Sequence, residues 1–139
     1  TIASTGNAQE FGDAYVNTRN RYNAAGVSNS IRGLVAAGVD GPGTVTQYIE
    51  SYQLATLGNV IIFGDLSTTG RSKNGTASPT RGVFAGGRAP ADSDSSPSGP
   101  KNTIEYVSMQ TEGSAVDFGD LTQARYEHNP MGNAHGGLG

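Results

Sequence analysis

Three aspartates recur in the same triplet, Phe-Gly-Asp, and are the first candidates for chemistry. The triplets end at Asp13, Asp65 and Asp120. Carboxylates can hold a metal ion or transfer a proton. Repetition instead favours a structural role, because an aspartate that follows glycine at a strand end commonly caps a turn by accepting a hydrogen bond from the amide two residues on. The phenylalanines of these structural landmarks are Phe11, Phe63 and Phe118.

An arginine follows each triplet in the sequence. These residues are Arg19, Arg71 and Arg125. Because they recur as the aspartates do, we expect them to pair with carboxylates of a neighbouring repeat or with loop backbone, and not to form one active site.

The other residues that could do chemistry do not make a recognisable set. His128 and His135 are the only histidines, and His135 takes a place that arginine holds in earlier copies, so a zinc site would need ligands from elsewhere. Serine is abundant, but the chain has no Gly-x-Ser-x-Gly nucleophile motif. We therefore predict a protein that is not an enzyme, with no metal site and no cofactor.

A proline-rich stretch, 88–101, contains two aspartates at a spacing seen in calcium loops. Asp92 and Asp94 lack the later glycine and closing glutamate of that motif. A long exposed loop is the better interpretation, and such loops often carry contacts with other molecules. Asp92, Asp94 and Lys101 are the candidate contact residues.

Composition restricts the partners and the fold class. The chain has 139 residues, which suits a single domain, and its formal net charge is −3. That charge provides no basic field for nucleic acid, and no apolar run is long enough to span a membrane. The chain has no cysteine, so the redox compartment cannot be read from it. It has 21 glycines, which disfavours long helices and indicates β structure.

The triplets lie in a longer repeat of about fifty residues, the size of a four-stranded propeller blade. The boundaries give a partial repeat 1–18, repeats 19–70 and 71–124, and a partial repeat 125–139, all in one domain. The predicted strands are 48–53, 103–109, 60–63, 116–118, 32–38 and 81–87, with weaker ones near 20–27, 72–77 and 126–132. Asn74-Gly75 is interpreted as a hairpin turn in preference to a glycosylation sequon.

The order of these segments resembles a kelch-type repeat. Arg71, the run Gly82–Gly87, the core Ile104-Glu105-Tyr106 and Phe118 follow one another as in a kelch blade, with phenylalanine nearest to the position where such blades usually have tryptophan. The phrases at 1–13, 80–87, 102–107 and 133–139 also look like a repeat of tailed-bacteriophage structural proteins. That resemblance implies that Gly139 lies at or near a C-terminus, whereas Thr1 is expected to lie inside a longer product.

The resemblance implies a non-enzymatic virion structural protein, a fibre or surface-decoration component whose loops contact the host. The expected fold is all-β, with kelch-like repeats of four short strands in a propeller-like or stacked array and incomplete terminal repeats. Unpaired strand edges predict that copies associate by strand completion at the chain ends, or that residues upstream of Thr1 supply further blades. Other virion proteins or host glycans are further expected partners. The alternative is a secreted carbohydrate-binding adhesin or a subunit of an extracellular filament, with a minority of the six tyrosines stacking on sugars.

Overall fold

The chain folds as an all-β protein. The computed structural model describes residues 6–14, 20–41, 43–89 and 99–132, and every regular element in these ranges is a β-strand. This confirms that the fold is all-β. None of the described residues forms a helix that could cross a membrane.

The strands are short and all pair antiparallel. They are β1 (Arg21–Tyr22), β2 (Ala25–Ser28), β3 (Arg32–Ala36), β4 (Val39–Asp40), β5 (Tyr48–Gln53), β6 (Ile61–Asp65), β7 (Asn74–Ala77), β8 (Arg81–Ala85), β9 (Thr103–Ser108) and β10 (Val116–Asp120). The first sheet has the order β2-β3-β5-β6, the second sheet has the order β7-β8-β9-β10, and β1 pairs with β4 alone. Within the described ranges both large sheets are open, and neither closes into a barrel.

The two four-stranded sheets have the same internal register. The pairs Arg32–Gln53 and Ala36–Ile49 of the first sheet recur as Arg81–Ser108 and Ala85–Ile104 in the second. The fourth strand of each sheet also carries a bulge at the same place, so that Phe63 and Phe118 are skipped in the pairing. A bulge redirects a side chain and twists the strand. In the second and third triplets the Phe-Gly part is therefore a bulged strand segment, and the aspartate is the last residue of the strand. The expectation that Gly-Asp forms a turn after the strand is wrong for these two triplets.

One apolar core joins the two sheets. It includes Leu34, Ile49 and Phe63 of the first sheet together with Phe84 and Val107 of the second. Each of these side chains is at least 97% buried, since none is more than 3% exposed. Burial of apolar area on this scale is the main stabilising term in a chain without disulfides.

Glycine allows the sheets to approach closely where their first strands meet. A Cβ atom on Gly75 of β7 would overlap the Val27 side chain of β2, and one on Gly82 would lie 3.0 Å from both Val27 Cγ2 and Met109 Sδ. Two further glycines of the 81–87 run lie against backbone, since a Cβ atom on Gly86 would overlap Arg125 O and one on Gly87 would lie 3.1 Å from Arg71 O.

The predicted Asn74-Gly75 turn is wrong, because both residues lie within β7 and pair with β8. The turn between these strands lies at Ser78-Pro79-Thr80. Ser78 N–H donates to Arg81 O at 2.8 Å, and the Ser78 hydroxyl accepts from Arg81 N–H at 3.1 Å. A serine hydroxyl and a proline therefore define this turn, and the Asn-Gly pair fits an extended conformation.

The weak strand predictions are partly wrong. Residues 20–27 contain β1 and most of β2 with a break between them, residues 72–77 contain β7 in their last four positions, and no strand forms within 126–132. The short β1–β4 ladder was not predicted. The segment around Glu127 nevertheless continues a series of backbone contacts between equivalent positions. Ser72 N–H donates to Asn23 O at 2.9 Å, and Glu127 N–H donates to Ser72 O at 3.3 Å. These three residues share a positive φ of 55°, 52° and 53°.

Candidate functional site

The Phe-Gly-Asp triplets form the contact between successive units of the chain. Phe11 O accepts a hydrogen bond from Gly58 N–H at 2.8 Å, and Asp13 O accepts one from Val60 N–H at 3.2 Å. The second triplet repeats this arrangement: Phe63 O accepts from Gly113 N–H at 3.0 Å, and Asp65 O accepts from Ala115 N–H at 2.8 Å. Each of these two triplets thus binds the loop before the fourth strand of the following unit.

The glycine of each triplet is required by this contact. A Cβ atom on Gly12 would overlap Gly58 O, and a Cβ atom on Gly64 would overlap Gly113 O. The amide that follows the phenylalanine-glycine pair is also bound by a side chain of the same loop, since Asp13 N–H donates to Asn59 Oδ1 at 2.9 Å and Asp65 N–H donates to Ser114 Oγ at 3.3 Å.

The third triplet has the same backbone bulge but a different environment. Phe63 is 3% exposed, whereas Phe118 is 57% exposed and touches Tyr106 edge-on with ring centroids 5.8 Å apart. Phe11 is half-buried. The three phenylalanines therefore lie in unlike environments. The first two triplets share their backbone contacts, but no described residue covers Phe118 as the core between the sheets covers Phe63.

The aspartate side chains do not all act as the predicted turn caps. The amide two residues after Asp65 belongs to Ser67, and it donates to Glu105 Oε2 at 2.8 Å. Beside the third triplet, Asp117 caps the bulge by accepting from Gly119 N–H at 3.0 Å. The residue two positions after Asp13 lies outside the described ranges.

The predicted arginine landmarks are not equivalent positions. Arg19 lies outside the described residues. Arg71 exchanges two backbone hydrogen bonds with Arg88, at 3.0 and 2.8 Å, while Arg125 accepts at its carbonyl from Gly87 N–H at 3.0 Å. In the first sheet the matching bond runs from Gly38 N–H to Gly70 O, at 2.9 Å. Arg125 thus corresponds to Gly70 and not to Arg71.

Three arginines lie against aromatic rings, and one of them is Arg88, 5.5 Å from the centroid of the Tyr126 ring. Arg32 lies over Phe63 at 5.2 Å from the ring centroid, and Arg81 lies over Tyr106 at 5.0 Å. Both begin the second strand of their sheet. Such cation–π contacts contribute about 0.5–1 kcal/mol at exposed sites.

A pair of buried glutamates, which the repeated landmarks do not include, occupies the same position in the two sheets. Glu50 of β5 and Glu105 of β9 are both 0% exposed. Glu50 Oε2 accepts from Arg21 at 2.6 Å, and Glu105 Oε1 accepts from Lys73 at 2.6 Å. Alternation along β9 signals this burial, because Glu105 shares a face with the buried Val107.

Glu105 also links the two sheets. Its Oε2 atom accepts from both the amide and the hydroxyl of Ser67, each at 2.8 Å, and Ser67 lies just after the last strand of the first sheet. Two hydrogen bonds from Ser67 and the Lys73 ammonium therefore compensate the desolvation of this carboxylate, which a buried charge requires. Arg21 is held similarly, donating to Thr46 Oγ1 and Tyr48 O as well as to Glu50.

A cleft of about 460 Å³ lies where the first and second sheets meet. Glycines and small side chains line most of it, and Tyr52 is its aromatic member. Burial raises the pKa of the Tyr52 hydroxyl above its ordinary value of 10.0; the Glu50 carboxylate raises it further and Arg21 opposes the rise. The ring therefore presents a neutral hydroxyl at physiological pH.

The predicted contact loop lies largely outside the described residues, including Asp92 and Asp94. Lys101 is described and stands at the base of this loop, where its amide donates to Gly87 O at 2.8 Å and its carbonyl accepts from Arg125 N–H at 3.0 Å. His128 is half-buried against Gly86, whereas His135 lies outside the described ranges. In the described ranges no three acidic or histidine side chains gather as metal ligands do.

Comparison with known proteins identifies the fold and nothing finer. No family model and no curated protein matches the chain. A solved structure titled "Structure of YjhT" superposes with a TM-score of 0.67 at 16% sequence identity, over 81% of this chain and 36% of that chain. The chain therefore spans about a third of the length of that structural neighbour, and the likeness supports the all-β architecture alone.

Proposed function

We propose that the protein is a non-enzymatic structural component of a tailed-bacteriophage virion, a fibre or surface-decorating element. The observation that carries this proposal is the use of the buried charges. Two internal ion pairs use these charges: Glu50 pairs with Arg21, and Glu105 pairs with Lys73. Groups that catalyse need access to a substrate, and these four have none because their side chains are at most 6% exposed.

The proposed architecture is a kelch-like array in which the first and second sheets are neighbouring blades. Their shared register, their bulges at Phe63 and Phe118, and the serial backbone contacts of the triplets support it. A repeating array suits a fibre or a surface element, because each unit is stabilised by its neighbours and exposes its loops.

Purified virions test this function. Mass spectrometry and gold-labelled antibody should find the protein on the particle, at a fixed copy number relative to the major capsid or tail protein. Presence in culture medium as DNA-free filaments, with none on particles, would contradict the virion role and favour the extracellular alternative.

The cleft beside Tyr52 favours that second candidate, a carbohydrate-binding adhesin or filament subunit. An aromatic ring among glycines offers a flat apolar surface of the kind on which sugar rings pack. A glycan array followed by NMR titration tests it, with Tyr52→Ala as the variant. Tyr48→Ala is the matched control, since Tyr48 lies on the same strand outside the cleft. Saturable binding lost only in Tyr52→Ala would support this role, and a blank array would contradict it.

A further inference from the structure

The third triplet, Phe118–Asp120, is exposed, although its sequence is that of the two triplets that bind a loop. Phe118, Gly119 and Asp120 repeat the bulged strand segment of Phe63–Asp65, which receives a loop, and the same triplet also receives a loop at Phe11–Asp13. Outside its own sheet, no described residue donates to Phe118 O or Asp120 O.

The loops that bind the first two triplets share a short sequence. They are Gly58-Asn59-Val60 and Gly113-Ser114-Ala115, each a glycine, a residue with a polar side chain and a small apolar residue. Their glycines have nearly the same φ, 152° and 158°. The type of segment that occupies a triplet is therefore known from two independent contacts.

A third segment of this type is present and lies free on the surface. Gly6-Asn7-Ala8 precedes Phe11 at the spacing at which Gly58 precedes Phe63 and Gly113 precedes Phe118. All three residues are exposed, and a Cβ atom on Gly6 would meet nothing within 4 Å. Glycine at position 6 can adopt the φ that the bound loops show.

We propose that the protein assembles head to tail, with Gly6–Ala8 of a second copy bound to Phe118–Asp120 of the first. The inference rests on the structural role proposed above. Gly6 N–H would donate to Phe118 O and Ala8 N–H to Asp120 O, while the Asn7 side chain would accept from Asp120 N–H as Asn59 accepts from Asp13 N–H. Phe118, which is 57% exposed in the single chain, would lose exposure in this contact, since Phe11 is half-buried and Phe63 buried where a loop is bound.

The contact joins two different surfaces, so each copy offers one of each to further copies. An interface of this kind closes into rings if the rotation per copy permits and otherwise forms open filaments. The contact between copies uses the same kinds of hydrogen bond that join successive units within one chain.

Sedimentation velocity over a concentration series tests the assembly. Wild-type protein should associate, and Phe118→Ala should weaken association by at least about tenfold, as removal of a buried aromatic anchor does. Val116→Ala is the matched control on the same strand, because its counterpart Ile61 stays 46% exposed even where a loop is bound. A strictly monomeric wild type, or equal loss in both variants, would overturn the proposal.

A second variant tests the other surface of the contact, Gly6–Ala8. Ala8→Asp would place a carboxylate where Val60 is 5% exposed, so association should again fall by at least about tenfold. Ala8 is exposed in the single chain, so folding should be unaffected, which circular dichroism checks. Ala55→Asp makes the same change at another exposed position and should assemble normally.

Mixing the two variants tests the direction of assembly. Phe118→Ala keeps Gly6–Ala8, and Ala8→Asp keeps Phe118, so an equimolar mixture should form dimers that neither variant forms alone. A mixture without dimers would overturn the head-to-tail contact. A monomeric protein found on virions would refute this inference and leave the proposed function standing, whereas an assembling protein absent from virions would do the reverse.

Discussion

The Lys73 ammonium lies 2.6 Å from the Glu105 carboxylate, with both side chains at most 1% exposed. Glu105 belongs to the middle of a strand, and Lys73 precedes the first strand of the same sheet. Two charges removed from water at this distance stabilise the fold only as a pair, because either one alone would be buried without compensation.

A double-mutant cycle should reveal this coupling. Lys73→Met leaves the carboxylate without its cation, and Glu105→Gln leaves the ammonium without its anion, so each should lower the free energy of unfolding by about 3–5 kcal/mol. The double variant should lose much less than the sum. Urea unfolding measures all four proteins, and additive losses would show that the two groups act independently.

Replacement of Gly64 by alanine should destabilise the contact between the sheets. A Cβ atom there overlaps Gly113 O, so Gly64→Ala should cost about 1–3 kcal/mol by overpacking. Gly26→Ala is the control, because Gly26 lies in β2 with nothing within 4 Å of its Cβ position. Thermal unfolding of both variants decides the point. Equal melting temperatures would mean that the contact can move apart without cost.

The raised pKa of Tyr52 predicts a stability change at alkaline pH. The unfolded chain loses the tyrosine proton near pH 10, while the folded chain keeps it to higher pH because burial and the Glu50 carboxylate disfavour the phenolate. The stabilisation is therefore complete below pH 10 and is lost as the pH rises through the pKa of the folded state. Urea midpoints of wild type should fall across this range relative to Tyr52→Phe.

NMR of tyrosine ring carbons gives the direct measurement, with Tyr52→Phe used to assign the resonance. A midpoint for Tyr52 at or below 10 would contradict the predicted direction of the shift.

Local sequence patterns predicted the strands well where packing and alternation agree. Residues 48–53 are rich in Ile and Tyr and form β5 with the predicted bounds. The Asn74-Gly75 dipeptide favours a turn in isolation, but pairing with β8 holds both residues in an extended strand. Ser78 and Pro79 form the turn between these strands instead. Pairing across a sheet is a long-range property that a short window does not contain.

The candidate site was predictable only in part for the same reason. The Phe-Gly-Asp triplets stood out by repetition, yet their role as acceptors for a glycine loop depends on the approach of a distant segment. The cations that pair with Glu50 and Glu105 come from different positions, Arg21 and Lys73, so no repeat of sequence identifies them. The arginines that do repeat in sequence, Arg71 and Arg125, occupy different places in the fold.

Ser67 should prove important for joining the sheets, although it lies on the surface. Its amide and hydroxyl both donate to Glu105 Oε2 at 2.8 Å, and hydrogen bonds to a charged group contribute about 1.5–3 kcal/mol. Ser67→Ala removes the hydroxyl donor and should lower the free energy of unfolding by an amount in that range. Thr122 provides the matched control, since it follows the third triplet at the same distance and is exposed.

Thr122→Ala should therefore leave the stability of the single chain unchanged. Urea unfolding of both variants at low protein concentration makes the comparison. A loss in Thr122→Ala as large as that in Ser67→Ala would show that the hydroxyl acts through its own loop and not through the glutamate of the following sheet.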